Sequence, residues 1–384
     1  NNFLGDFLTA RNNCRVARAA VGQFLDQGCS SNDLRGVAGL PGQVALNPAT
    51  SALAAGTGAS DIASRIVSGN VGQAVVRYLV RGLDGFRGTT FRSNPNAGPV
   101  DYLTNAGKYR YNSLQAEIRR RFTDGLQFQA NYTFQKTLAN ALADGQTRFE
   151  PFLDFANQDL EYSRVDYDRT HTVNINANYE LPFGKGKPFL NQGGMVDKIF
   201  GGFQVTGIVN ISSGAPISIK DINGTLNRDA RSRRQTANSS LSQDQIRDLI
   251  GIQKVNGTIY FIDPSVIGPN GSATNGNLEG TPDARFPGQV FFRVQPGETG
   301  TLQRAFLNGP WYYNVDAGLI KNIRFGERFR VQFRAEAFNL LNTTNFFIAE
   351  NTATFDVDST TFGQVPTANT FAPRIMQFAF RFEF

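Results

Sequence analysis

Between residues 125 and 137, apolar and polar side chains change places at every step. Leu126, Phe128, Ala130, Tyr132 and Phe134 share one parity; Gln127, Gln129, Asn131, Thr133 and Gln135 share the other. Successive side chains of an extended strand point to opposite faces, so this segment has one apolar face and one polar face. Residues 170–181 repeat the pattern. There His171, Val173, Ile175, Ala177, Tyr179 and Leu181 oppose Thr172, Asn174, Asn176, Asn178 and Glu180. Segments 109–122, 203–213, 311–325 and 329–341 follow it less strictly. At the end, Met376, Phe378, Phe380, Phe382 and Phe384 oppose Ile375, Gln377, Ala379, Arg381 and Glu383. Each segment holds ~9 to 14 residues, enough to cross a bilayer at the usual tilt and longer than most soluble strands.

A water-soluble sandwich with one wet face shares the alternation, so composition enters here. The 384 residues include 33 Phe but one Trp and two Met, and only 18% are charged. A soluble core draws more evenly on Leu, Ile and Val. Aromatic residues gather near segment ends, as Tyr109, Tyr111 and Phe122 do, or Trp311 and Phe325. Girdles at two membrane interfaces have that form. No run approaches the ~18 to 20 apolar residues of a spanning helix. The chain therefore reads as all-β, an antiparallel transmembrane β-barrel.

The connections test this independently. Thr123-Asp124-Gly125 and Gly326-Glu327-Arg328 are tight turns, residues 182–202 make a medium connection, and 138–169, 214–310 and 342–373 are long. Short and long alternate, as in outer-membrane barrels with short periplasmic turns and long outer loops. With Phe384 at the periplasmic end, every long loop falls outside. That count gives seven spanning strands, whereas single-chain bacterial barrels have an even number. Residues 1–108 show no comparable alternation and read as an outer loop region with short helices, Ser60 capping one over 61–67. Either a strand is hidden there, or 109–384 is the C-terminal section of a larger barrel; the section is favoured. With no initiator Met and no secretory signal at Asn1, the expectation is a mature chain or a fragment.

Several runs resemble the large TonB-dependent outer-membrane receptors of the Oar-like type. They are YNSLQAEIRRRF at 111–122, GLQFQANYTF at 125–134, YELPFGKG at 179–186, FRVQFRAEAFNLLN at 329–342 and FAFRFEF at 378–384. The stretch from Leu4 to Cys29 also looks like an outer loop of that family. The resemblance implies a barrel of about 22 strands with a plugged lumen. It also implies partners: outer-membrane lipid, an N-terminal plug and further strands beyond this chain, an inner-membrane energy-coupling complex, and the barrel-assembly machinery. A terminal aromatic preceded by alternating apolar residues, Phe380, Phe382 and Phe384, resembles that machinery's assembly signal. Deleting Phe384 is then expected to impair insertion more than replacing an equally exposed aromatic elsewhere.

Catalytic, cofactor and metal sites are not expected. His171 is the sole histidine and lies at the outer end of the apolar row, so no nucleophile–base pair assembles around it. Two cysteines and one histidine supply no zinc set. Cys14 and Cys29 instead suggest a disulfide in an oxidising compartment. Asp154, Asp159, Glu161, Asp166 and Asp168 match no calcium loop and read as a solvated outer loop; Asp221-Ile222-Asn223-Gly224 is equally weak. Ser242 to Gln245 is a capping-box pattern that predicts a short amphipathic helix with Ile246, Leu249 and Ile250 as its apolar residues before Gly251, serving either packing between loops or contact with a ligand. A net charge of +6 is scattered, apart from runs at Arg119–Arg121 and Arg228–Arg234, which argues against nucleic acid as a partner. Glu117, Arg119, Arg121, Asp316, Arg324, Arg330, Arg334, Glu336, Arg381 and Glu383 are expected to face the lumen, towards the periplasmic strand ends.

The function these features imply is energy-coupled uptake of a scarce nutrient across the bacterial outer membrane, by a chain that is not an enzyme. A structural or surface-interaction platform and a passive pore are the alternatives. Iron chelates, vitamins, sugars and peptides all fit as substrate.

Overall fold

A computed structural model of the chain describes all residues except 1, 24–27, 40, 56–59, 95, 97–104, 106, 141–153, 155, 222–234, 276–284, 327, 349–352 and 367–369. Seven long strands form one antiparallel sheet in chain order: β1 (Tyr109–Thr123), β2 (Leu126–Ala139), β3 (His171–Glu180), β4 (Phe203–Ser212), β5 (Tyr312–Phe325), β6 (Phe329–Phe338) and β7 (Ile375–Glu383). All seven alternating segments of the sequence are strands, with ends shifted by a few residues. Ser163–Arg164 adds a short pairing beside the end of β2.

The tight turns follow from local chemistry. Asp124 and Gly125 both have positive φ, 52° and 78°, as a two-residue hairpin of matching twist requires. Between β3 and β4, helix α5 (Met195–Phe200) precedes Gly202, also at positive φ, where any side chain would collide with the Asn322 carbonyl. The register then aligns faces across the sheet. Leu114, Phe134 and His171 are consecutive partners, as are Tyr132, Val173 and Ile211, then Tyr313. This apolar face stays open: Leu114 and Ile118 are each 65% exposed and Phe380 70%. Among the described residues no second sheet is stacked on it, whereas the inner faces of a soluble sandwich are covered.

The sheet is an open ribbon. Among the described residues, β1 pairs only with β2 and β7 only with β6. All three long connections leave from one end, here called the loop end, and the short turns lie at the turn end.

Both loop-end bodies have cores of their own. Residues from 214–310 and 342–373 share one: Ile217, Ile219, Phe261, Ile262, Phe291 and Leu307 pack with Ile348, Phe355, Phe362 and Val365. The Lys220 N–H donates to the Phe355 carbonyl, the Val357 N–H to that of Lys220, and the Phe261 N–H to that of Gly363. Two loops far apart in sequence thus form a single loop body. Within it, Gln243–Asp248 is a helix with the predicted capping box, Ser242 accepting from Gln245 N–H and Gln245 accepting from Ser242 N–H. Ile246 is fully buried, so the helix serves packing between loops.

The second body is helical: α1 (Phe3–Ala19), α2 (Ser31–Arg35), α3 (Ser60–Val67) and α4 (Val71–Val80). At 17 residues, α1 exceeds the short helices expected. Phe3, Phe7, Ala10 and Cys14 fall at helical spacing and are all buried, which holds the helix together through packing. Helix α3 begins at Ser60 rather than after it. Cys14 and Cys29 form the expected disulfide, Cα atoms 5.9 Å apart. It ties α1 to the approach of α2, whose Asp33 also pairs with Arg18. Replacing both cysteines by Ala should cost ~3 kcal/mol, because a cross-link over such a loop limits the unfolded chain. In thermal scans, reductant should bring the wild type to the midpoint of that double variant and leave the variant unchanged.

Candidate functional site

Two surfaces concentrate polar chemistry: the polar face of the sheet and the loop body. On the sheet, partners repeat from strand to strand. Glu117, Asn131, Asn174, Asn210 and Asn314 form one row across β1 to β5. Arg119, Gln129, Asn176, Ile208 and Asp316 form the next row towards the turn end. Gln129 donates to Glu117 at 3.2 Å and Tyr111 to Gln135 at 3.0 Å, so β1 and β2 are linked on this face. Tyr109 and Tyr111 therefore lie on the polar side and not in the girdle expected of them.

Charge gathers on β5 to β7 near the turn. Arg324 pairs with Arg330 and Arg330 with Glu383; Gln332 pairs with Arg381 and Arg334 with Ala379. Arg381 lies 3.0 Å from Glu383 and Arg334 3.7 Å from Glu336. Asn322 accepts from Arg330 at 3.0 Å and from Gln332 at 2.9 Å. Four arginines against two glutamates leave the cluster positive. The register thus sets Glu117, Arg119, Asp316, Arg324, Arg330, Arg334, Glu336, Arg381 and Glu383 on one face. Asp316 and Glu336 lie in the loop-end halves of their strands, which corrects the expectation that all these charges gather towards the turn ends. Arg121 lies in the bulge between Arg120 and Thr123, where the ladder gives it no partner.

The apolar face carries an aromatic row near the loop end. His171 stacks between Tyr132 and Trp311, at ring separations of 6.2 and 5.9 Å, and Trp311 stacks on Tyr313. The Tyr132 hydroxyl and His171 Nδ1 are hydrogen-bonded at 2.9 Å. His171 belongs to this girdle, as its parity indicated. Phe384 lies just past β7, 94% exposed and stacked on Phe382.

The acidic stretch corrects the expectation of a solvated loop. Glu161 is buried opposite Arg304 at 3.7 Å, and Asp168 is buried, accepting from Thr137 N–H at 2.8 Å and Arg164 at 3.0 Å. Asp159 is exposed and pairs with Lys108 at 2.7 Å; Asp166 is half-buried. Burial without a partner costs a carboxylate several kcal/mol, so these contacts fix the loop's return to the sheet. Asp154 accepts from Ala156 N–H at 2.9 Å in a local turn. No described group of three or more His, Cys, Asp or Glu residues is arranged around a metal position. Asp221 is buried and accepts from Val294 N–H at 2.7 Å, while Ile222, Asn223, Gly224 and the run Arg228–Arg234 lie outside the described residues.

Within the loop body, Asp356 lies beside Asp358, Lys220 and Arg293. Burial pushes its carboxyl up to about 6; the Asp358 charge adds to the rise, whereas the Asp358 N–H, Lys220 and Arg293 oppose it. Folded protein therefore holds a proton that unfolded chain, at the ordinary 3.8, has lost. That stabilisation is fully present below about 3.8 and disappears as pH rises through about 6. Asp356→Asn should flatten the fall in loop-body melting temperature between those values; an unchanged slope would contradict the assignment. Two cavities open nearby. One of about 270 Å³ lies between Leu160, Tyr162 and Ser163 and Gln235, Thr236 and Thr301. Another of about 560 Å³ is bordered by Ile250, Ile252, Phe261, Trp311, Tyr313 and Asn345.

A meander of spanning-length strands, with an exposed aromatic face and a polar face, defines the wall of a membrane β-barrel. A family model described as an outer membrane beta barrel domain matches residues 35–377, and the chain belongs to that family, which places it in the bacterial outer membrane. No curated protein and no solved structure matches it.

Proposed function

We propose that this chain forms wall and ligand-contacting loops of a TonB-dependent outer-membrane receptor of the Oar-like type, taking up a scarce nutrient at the expense of inner-membrane energy. The observation that carries this reading is the open sheet. In a membrane every backbone donor and acceptor needs a partner, so the outer edges of β1 and β7, unpaired among the described residues, call for further strands. At about 22 strands, the size the family resemblance implies, the lumen is too wide to fill with the wall's own side chains and belongs to the class that carries a plug. The positive cluster Arg324, Arg330, Arg334 and Arg381 suits ion pairs and hydrogen bonds to such a plug. The loop body, outside the membrane, supplies ligand contacts without covalent chemistry. Partners on this reading are the plug and remaining strands, the energy-coupling complex and the assembly machinery, which Phe380, Phe382 and Phe384 would address.

Transport assays on cells with and without the intact gene test the proposal. Accumulation of isotope-labelled iron chelates, vitamins, sugars and peptides is followed before and after a protonophore. Uptake of one class that needs both the gene and the proton gradient is expected. Gene-dependent influx insensitive to the protonophore would make the protein a passive pore. Unchanged uptake of every class, with loss of surface binding, would make it a platform.

A further inference from the structure

We infer that Arg110, Asn112 and Lys136 form a binding site for a phosphorylated lipid headgroup on the membrane-facing side of β1 and β2 at the loop end. The register pairs Asn112 with Lys136 and Arg110 with Leu138, so all three polar residues share the parity of Leu114, Ile118, Tyr132 and Phe134. Arg110 and Lys136 are diagonal neighbours, ~7 Å apart, a separation one phosphate group bridges. Both are exposed.

Their depth is set by the aromatic row. The pair Leu114 and Phe134 lies one step nearer the turn end, and Phe134 continues into His171 and Trp311. Aromatic girdles mark the boundary between acyl chains and headgroups, so the two cations sit just beyond it.

The same face treats its cations differently at its two ends. Near the turns, Arg120 lies 3.5 Å from Asp124 and donates to the Thr123 carbonyl. Lys321 donates to the carbonyls of Ile199 and Gly201 and lies over the Phe203 ring. At the loop end, Arg110 and Lys136 have no ion pair or hydrogen bond among the described residues, and Asp159 at this rim is taken by Lys108. Charge placed at a headgroup boundary without a protein partner is complementary to anionic lipid. Leu114, Phe134 and Leu138 beside the cations favour a phosphate attached to acyl chains over the free ion.

Native mass spectrometry of the whole protein in neutral detergent, titrated with phosphatidylglycerol, tests the site. About 5-fold weaker retention is expected for Arg110→Gln or Lys136→Gln alone, and about 30-fold for both together. Arg120→Gln should bind as wild type does. Circular dichroism of each variant confirms that the strands are formed, and the single variants serve if the double one does not fold. Unchanged retention in folded variants, equal retention of zwitterionic phosphatidylcholine, or displacement by an equal concentration of inorganic phosphate would each overturn the proposal.

Discussion

Phe362→Ala should cost the loop body ~3 to 5 kcal/mol, the range for a fully buried Phe cut back to a methyl group. Phe362 is wholly buried, with ring neighbours Phe291 at 5.7 Å and Phe355 at 5.8 Å. Phe291 comes from the connection between β4 and β5; Phe355 and Phe362 come from the one between β6 and β7. The cavity therefore opens in a core shared by both connections, and one substitution loosens both. Limited proteolysis of protein in detergent should show cleavage within 214–310 and 342–373 appearing at the same rate. Strands β4 to β7 should stay protected, since their ladders do not depend on this core. Cleavage confined to 342–373 would mean that the two connections fold separately.

The second large effect separates neighbours on one strand. Val209 pairs with Ile175 and Val315 on the apolar face; Ile208 pairs with Asn176 and Asp316 on the polar face. Val209→Arg puts a guanidinium near the middle of the hydrocarbon layer, which costs ~2 to 4 kcal/mol on a barrel's lipid side. Ile208→Arg puts the same group beside Asp316 and should be nearly neutral. Unfolding in lipid vesicles measures both. Equal tolerance of the two substitutions would show that both faces meet water.

These predictions also separate what was local from what was not. The strands were legible because a membrane imposes a period of two on every residue that spans it, and Gln127 to Gln135 or Phe378 to Phe384 record that period without reference to any other segment. Face assignment followed from parity, including His171 among the aromatics and nine of the ten charges on the polar side; Arg121 fell in a bulge, which parity does not foresee. The capping box at Ser242 was legible for a similar reason, because its bonds close within four residues. The burial of Glu161 and Asp168 was not legible. Arg304 opposite Glu161 and Thr137 beside Asp168 lie far along the chain, and the one near partner, Arg164 four residues from Asp168, pairs equally well on a solvated loop and marks no burial.

What the sequence alone determined is thus the strand set, its order, its register parity and the chemistry of each face. Tertiary structure decided that two distant connections share one core, that a long helix runs over Phe3–Ala19, that acidic side chains are buried beneath the loops, and that among the described residues the sheet is open at β1 and β7. The physical reason is range: lipid and water act on each residue where it stands and leave a period behind. Packing between Phe291 and Phe362, or between Glu161 and Arg304, joins residues with no fixed spacing, and only the folded chain brings them together.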